Sequence, residues 1–164
     1  MRRLVAFGLL LSLASGCNAA ESTAAKDAEA LAARLSGDDK QAATDNPQCK
    51  LFTKAEVAEY IGSPVAPGKN AASGLGCQWV AQAGRGDVIV AVVPEQYFEV
   101  PSLGDGFKEL AGIGTNAFVI PEMGGWAAGA LDGKEGVRVS VAGSKASEAG
   151  AIALLKEALK RHRP

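Results

Sequence analysis

The 164-residue chain has a single histidine, three cysteines, two tryptophans and no excess of positive charge. Each scarcity excludes something. The one histidine, His162, stands two residues from the C-terminus. A Ser-His-Asp site needs an oriented, sheltered imidazole, and a helix terminus supplies neither. With so little histidine, a metal site would need several convergent carboxylates. The densest acidic group, Glu95, Glu99, Asp105 and Glu109, has the spacing of a solvated surface. Aromatic residues make up 5% of the chain, too few for a stacking platform that would hold sugar rings. The formal net charge is −1. Nucleic acid is a polyanion that binds through clustered Lys and Arg, so no nucleic-acid partner is expected. No apolar run reaches the ~20 residues of a membrane-spanning helix.

What is present begins at the N-terminus. Arg2 and Arg3 precede the apolar run "LVAFGLLLSL", then "ASG" and Cys17. A short charged segment, an apolar stretch of about ten residues and small residues make a secretory signal. Small residues directly before a cysteine resemble the lipobox of bacterial lipoproteins. That resemblance implies cleavage after Gly16 and acyl chains, palmitate among them, on Cys17. The alternative is an ordinary secretory signal cut after Gly16 or near Ala19 and Ala20. Lipobox sequences usually carry Leu three residues before the Cys, where this chain has Ala14 and places Leu13 one earlier. Removal of Arg2 and Arg3 takes the net charge from −1 to −3.

Cysteine parity agrees with export. Lipidation of Cys17 leaves Cys49 and Cys77, and the cell envelope is where disulfides persist. No C-x-x-C motif and no neighbouring histidine favour a redox or zinc site instead. A Cys49–Cys77 bond would close a loop of roughly 30 residues, stabilising by ~3–4 kcal/mol in the chain-entropy model.

Residues 17–47 are rich in Ala and charge, with Leu31 and Leu35 the only large apolar groups. They read as a tether, helical from Ser22 or Thr23 to Leu35 and most flexible over "GDDKQAATDNP". One globular domain is expected over 48–164. Thr53 and Glu56 have capping-box spacing, Phe52 and Val57 that of a hydrophobic staple, and Gly62 ends this first helix. "SPVAPGKNAASGLG" reads as loop. "CQWVAQ" and "DVIVAVVP" read as strands, the second apolar on both faces. Residues 95–111 form a covering segment in which "DGFKELAG" reads as a helical turn. "AFVIP", "GWAAGAL" and "EGVRVSVAG" complete a meander, with Asp132-Gly133 as a type I′ hairpin loop. Ser147 caps a final helix from Glu148 to about Arg161, with Ala151, Ile152, Leu155, Ala158 and Leu159 as its apolar stripe. Lys160, Arg161, His162 and Arg163 suit the negative end of its dipole; contact with acidic headgroups is the second reading. The expected architecture is two-layer α+β: a mostly antiparallel sheet of about five strands, with both helices packed on one face.

The segment "GIGTNAF" contains Gly112-x-Gly114-x-x-Ala117, the spacing of a dinucleotide-binding turn. That chemistry needs a preceding strand and a following helix whose N-terminus receives pyrophosphate. Here the flanks read as an irregular segment and a short Pro-bounded strand, so a turn with positive φ at Gly112 or Gly114 is expected, and no cofactor. If the covering segment is loose, Phe98, Val100, Leu103, Phe107 and Trp126 line an apolar groove suited to a lipid, a peptide or a protein.

"CKLFTKAEVAEYIG", "CQW" and "GIGTNAF" together resemble an uncharacterised family of small bacterial lipoproteins, best known from actinobacteria. Cys49, Leu51, Thr53, Val57 and Gly62 match its opening, Cys77 and Trp79 its second element, and Gly112, Gly114 and Ala117 its third. Thr115 stands where an acid is usual. The likeness spans about residues 49–160. It implies a disulfide and a surface-anchored domain, and it supplies no catalytic residue. The expectation is a non-catalytic binding lipoprotein of the cell envelope. It would sit at the periplasmic face of the outer membrane where two membranes exist, since Asn18 is not the inner-membrane retention aspartate, and otherwise at the outer face of the plasma membrane. A small envelope enzyme with a spatially assembled site and a purely structural component are the alternatives.

Overall fold

The computed structural model describes residues 45–162. The signal segment, Cys17 and nearly all of the expected tether lie outside the described residues.

The first helix, α1 (Lys54–Ile61), starts where its caps dictate. The Thr53 hydroxyl accepts from the Glu56 N–H, and the Glu56 carboxylate accepts from the Thr53 N–H, closing the capping box. Two orphan N–H groups are thereby satisfied. Val57 and Ile61 face inward and are buried. The final helix, α2 (Glu148–His162), is capped by Ser147, whose hydroxyl accepts from the Gly150 N–H at 3.1 Å. It buries Ala151, Leu154, Leu155, Ala158 and Leu159.

Between the helices lies one antiparallel sheet of seven strands. They are β1 (Lys69–Ala71), β2 (Gly76–Val80), β3 (Asp87–Pro94), β4 (Lys108–Glu109), β5 (Thr115–Glu122), β6 (Gly125–Asp132) and β7 (Glu135–Ala142), in spatial order β1-β2-β3-β7-β6-β5-β4. The two strands beyond the expected five are the edges. Residues read as loop pair Lys69 with Gln78, Asn70 with Cys77 and Ala71 with Gly76. Residues read as a helical turn pair Lys108 with Val119 and Glu109 with Phe118. Strands of three and two residues carry no hydrophobic period; their longer neighbours recruit them. The β6–β7 loop is Gly133-Lys134, one residue later than expected, because Asp132 still pairs with Glu135. Positive φ occurs there at Gly133 alone, the sign pattern of a type II′ turn rather than type I′.

Both helices cover the same sheet face. Alternate residues of the central strands, Val88, Val90 and Val92 with Val137, Val139 and Val141, meet Val57, Ile61 and the α2 stripe in one cluster. Each buried Val or Leu of this kind contributes about 1.5–3 kcal/mol relative to exposure. Trp79 and Phe52 form an edge-to-face pair in it, with ring centroids 6.4 Å apart.

Two locks fasten the N-terminal part to this core. The disulfide Cys49–Cys77 joins the turn at Pro47–Lys50 to β2. Asn46, buried although the sequence assigned it to the tether, donates to the Gly76 carbonyl at 2.8 Å and to Asn70 Oδ1 at 2.9 Å. Asn46, two residues before the expected boundary, is thus part of the described fold.

Arg161 ties α2 to α1. Its guanidinium donates to Glu56, to Glu157 and to the Leu51 carbonyl, each at 2.7 Å, and lies 4.7 Å from the Phe52 ring centroid. The Arg161 bond, followed by those from Thr53, holds the Glu56 carboxyl down at about 2. A carboxyl depressed in the folded state stabilises above its unfolded value of 4.5 and loses that contribution as pH falls towards 2. The Glu56 side chain is 39% exposed, so solvent screening limits the effect to about 1 kcal/mol. Thermal unfolding followed from pH 7 to pH 2 should show the Arg161→Ala chain less stable near neutrality, the difference shrinking below pH 4. A difference that stays constant with pH would remove the ion pair as its cause.

Candidate functional site

The second sheet face carries the alternate residues: Ile89, Ala91 and Val93 of β3, Arg138 and Ser140 of β7, Ala127 and Gly129 of β6, Phe118 and Ile120 of β5. Among the described residues, neither α1 nor α2 reaches it. The covering segment does, over one half only. Phe98, Val100 and Phe107 pack on Phe118, Ile120 and Ala127 as a small second cluster. Phe98 and Phe107 lie 6.0 and 6.2 Å from Phe118 by ring centroids. Glycine makes the fit possible: a Cβ on Gly136 would fall 2.2 Å from the Phe98 ring. Gly104 and Gly106 bring the segment down on Ile120 and Pro121 in the same way.

Of the five residues expected to line a groove, three therefore meet as a closed lid. Leu103 does not join them; it is 100% exposed at the outer bend of the segment. Trp126 sits on the opposite face, half-buried against the main core. Its parity with Ala128 and Ala130 sends it to the helix side.

The uncovered half of the same face holds a groove of about 270 Å³ lined by Ala72, Ile89, Ala91, Glu122, Arg138 and Ser140. Its floor is apolar and small. Its wall is a charged pair, Arg138 to Glu122 at 2.5 Å, reaching across β6 where only small side chains stand. The sequence signal for this groove was the strand "DVIVAVV", apolar on both faces; which half of the face stayed open was not in it.

The "GIGTNAF" stretch is a turn into β5. Gly112 and Gly114 have φ of +75° and +134°, and a Cβ on Gly114 would meet the Leu131 carbonyl at 2.7 Å. Asn116 follows at φ +54°, where the β5–β6 register shifts between Thr115 and Phe118. The segment before it is the two-residue β4 and the segment after it is a strand, so no helix N-terminus faces the glycines.

The remaining chemical candidates are surface features. Glu95, Glu99, Asp105 and Glu109 are all exposed. His162 Nε2 lies 2.7 Å from Glu135 Oε2 at the β6–β7 hairpin. Among the described residues, no group of three or more His, Cys, Asp or Glu is placed to hold a metal ion, and no helix is long and apolar enough to cross a membrane. Comparison with known proteins found no matching family, no matching characterised protein and no matching solved structure.

Proposed function

We propose that the protein is an exported lipoprotein held at the cell envelope by acyl chains on Cys17. Its domain is a non-catalytic binding module that takes an apolar segment of an envelope partner along the uncovered half of its sheet. The observation that carries this reading is the groove over Ile89 and Ala91. Among the described residues it is a largely apolar floor, of half-buried Ile89 and buried Ala91, that neither the two α-helices nor the lid covers. Exposed apolar grooves with polar rims are characteristic of interaction sites. Ser140, Arg138 and Glu122 at the rim offer donors and acceptors to peptide groups, which favours a polypeptide over a bare acyl chain. The anchor is supported by the pairing of Cys49 with Cys77, which leaves Cys17 as the odd cysteine of an N-terminal signal.

The test is photo-crosslinking in native envelopes with a photoreactive residue in place of Ile89. A discrete adduct is expected from position 89. It should be lost with Ala91→Glu, which fills and charges the floor, and with Cys17→Ala, which releases the chain from the membrane. No adduct, or the same adducts from the exposed position Lys145, would overturn the reading.

A further inference from the structure

Beside the Gly112–Gly114 turn is an open cleft of about 340 Å³. Gly112, Ile113 and Gly114 form one wall, and Lys156, Leu159 and Lys160 of α2 form the other. The two lysines are four residues apart and so share one helix face. Neither is held by a close carboxylate there. Lys156 forms no ion pair among the described residues, and Lys160 reaches Glu157 only at 3.8 Å with its own side chain 78% exposed. No acidic residue lines the cleft. At this end of the helix Arg161 is engaged by two carboxylates and a carbonyl, and the His162 ring lies against Glu135.

The turn adds donors. The Ile113 N–H turns back towards the Leu110 carbonyl in the turn at 111–112, while the N–H groups of Gly112 and Gly114 give no hydrogen bond to another described residue. Successive N–H groups around a left-handed residue, here Gly112 at φ +75°, are the backbone element from which concave anion sites are built. Two exposed ammonium groups, one of them loosely paired with Glu157, and the glycine turn thus line one opening, while its apolar lining comes from Ile113 and the buried Leu159.

We propose that this cleft binds a phosphate group, with Lys156 and Lys160 supplying charge and the Gly112–Gly114 turn supplying backbone donors. A dinucleotide turn would draw its field from a helix N-terminus; here the lysines take that part. The phosphate is that of a lipid headgroup or of a soluble phosphate compound, and the test below separates the two. The apolar residues beside the lysines suit the glycerol region of a phospholipid. The inference does not depend on the sheet-face groove, and it uses the Cys17 anchor only to bring headgroups within reach.

The test uses the full chain carrying Cys17→Ala, so that no acyl group contributes. Amide signals of Gly112, Ile113 and Gly114 are followed by NMR during titration with inorganic phosphate. Partitioning is measured on vesicles of phosphatidylcholine alone and of phosphatidylcholine with one third phosphatidylglycerol. Saturable shifts of these three amides, or preference for the anionic vesicles, are expected. The joint substitution Lys156→Gln and Lys160→Gln should weaken binding by about 30-fold, from ~1 kcal/mol per lysine at an anionic surface. Both lysines are exposed, so the fold is retained. Removing the equally exposed Lys54 and Lys145 should change little. Shifts with phosphate alone identify a soluble ligand, and vesicle preference identifies a headgroup; either upholds the site. Neither response, or equal loss from both lysine pairs, overturns it.

Discussion

Reduction of the Cys49–Cys77 bond, or its removal as Cys49→Ala with Cys77→Ala, should lower the unfolding free energy by about 2–5 kcal/mol. Urea unfolding with and without reductant would measure it. Domains of this size are stable by only ~5–15 kcal/mol in total, so the loss is a large share. The bond closes the loop that contains α1 and β1, and Cys77 itself is fully buried beside Trp79 in the main core. The bond therefore restricts the unfolded chain just where the folded chain relies on an eight-residue helix and a three-residue strand. Neither element is long enough to persist alone. An unchanged midpoint under reductant would mean that packing, not the crosslink, holds this region.

Gly125→Ala should cost on the order of 3 kcal/mol or more, through overpacking. A Cβ at Gly125 would lie 1.9 Å from the Val141 carbonyl oxygen and 2.8 Å from the Ala142 Cα. Both neighbours are backbone, so no rotamer change relieves the overlap. The β6 and β7 strands would have to part at the Gly125–Ala142 pair, next to Trp126 and Val141. The adjacent Gly124→Ala is the control. Gly124 has φ +82° with open space around it, so its substitution should cost only about 1 kcal/mol, from backbone conformation. Thermal unfolding of the two single variants separates close approach from torsional strain. Equal losses would remove the steric argument.

The parts of the fold legible in the sequence were those in which several local signals agreed. Capping box, staple and glycine stop all pointed to α1, and Ser147 with its downstream stripe to α2. The alternation Val137, Val139, Val141 against Arg138 and Ser140 gave β7 its inward face. The edges escaped because pairing, not composition, makes them strands. In "DGFKELAG" the three-residue spacing of Phe107 and Leu110 imitates a helix, yet Lys108 and Glu109 extend along β5. Trp126 was assigned to the lid groove because β6 offers no alternation: Ala127 and Ala128, on opposite faces, are both fully buried. A strand of small residues does not declare its orientation, and the aromatic ring follows a parity set by the β7 register. The open groove escaped for a related reason. Ile89 and Ala91 are visibly apolar on the second face, but how far the covering segment extends over that face is decided by Gly129 and Gly136 beneath Phe98. The Lys156–Lys160 cleft pairs residues about forty positions apart, and no local pattern connects them.

The positions of Asn46 and Cys49 bear on how the domain carries load. A pull on the chain at residue 45 meets the Asn46 side-chain bonds first, and three residues later the covalent link to Cys77. From there tension enters β2, one strand in from the sheet edge and paired to β3 over five residues. Everything between the two cysteines, α1 with its Arg161 contacts included, is bypassed by the force. A molecule held by its N-terminal side would thus transmit drag from a bound partner into its main sheet through a single covalent rivet, while its first helix remains slack.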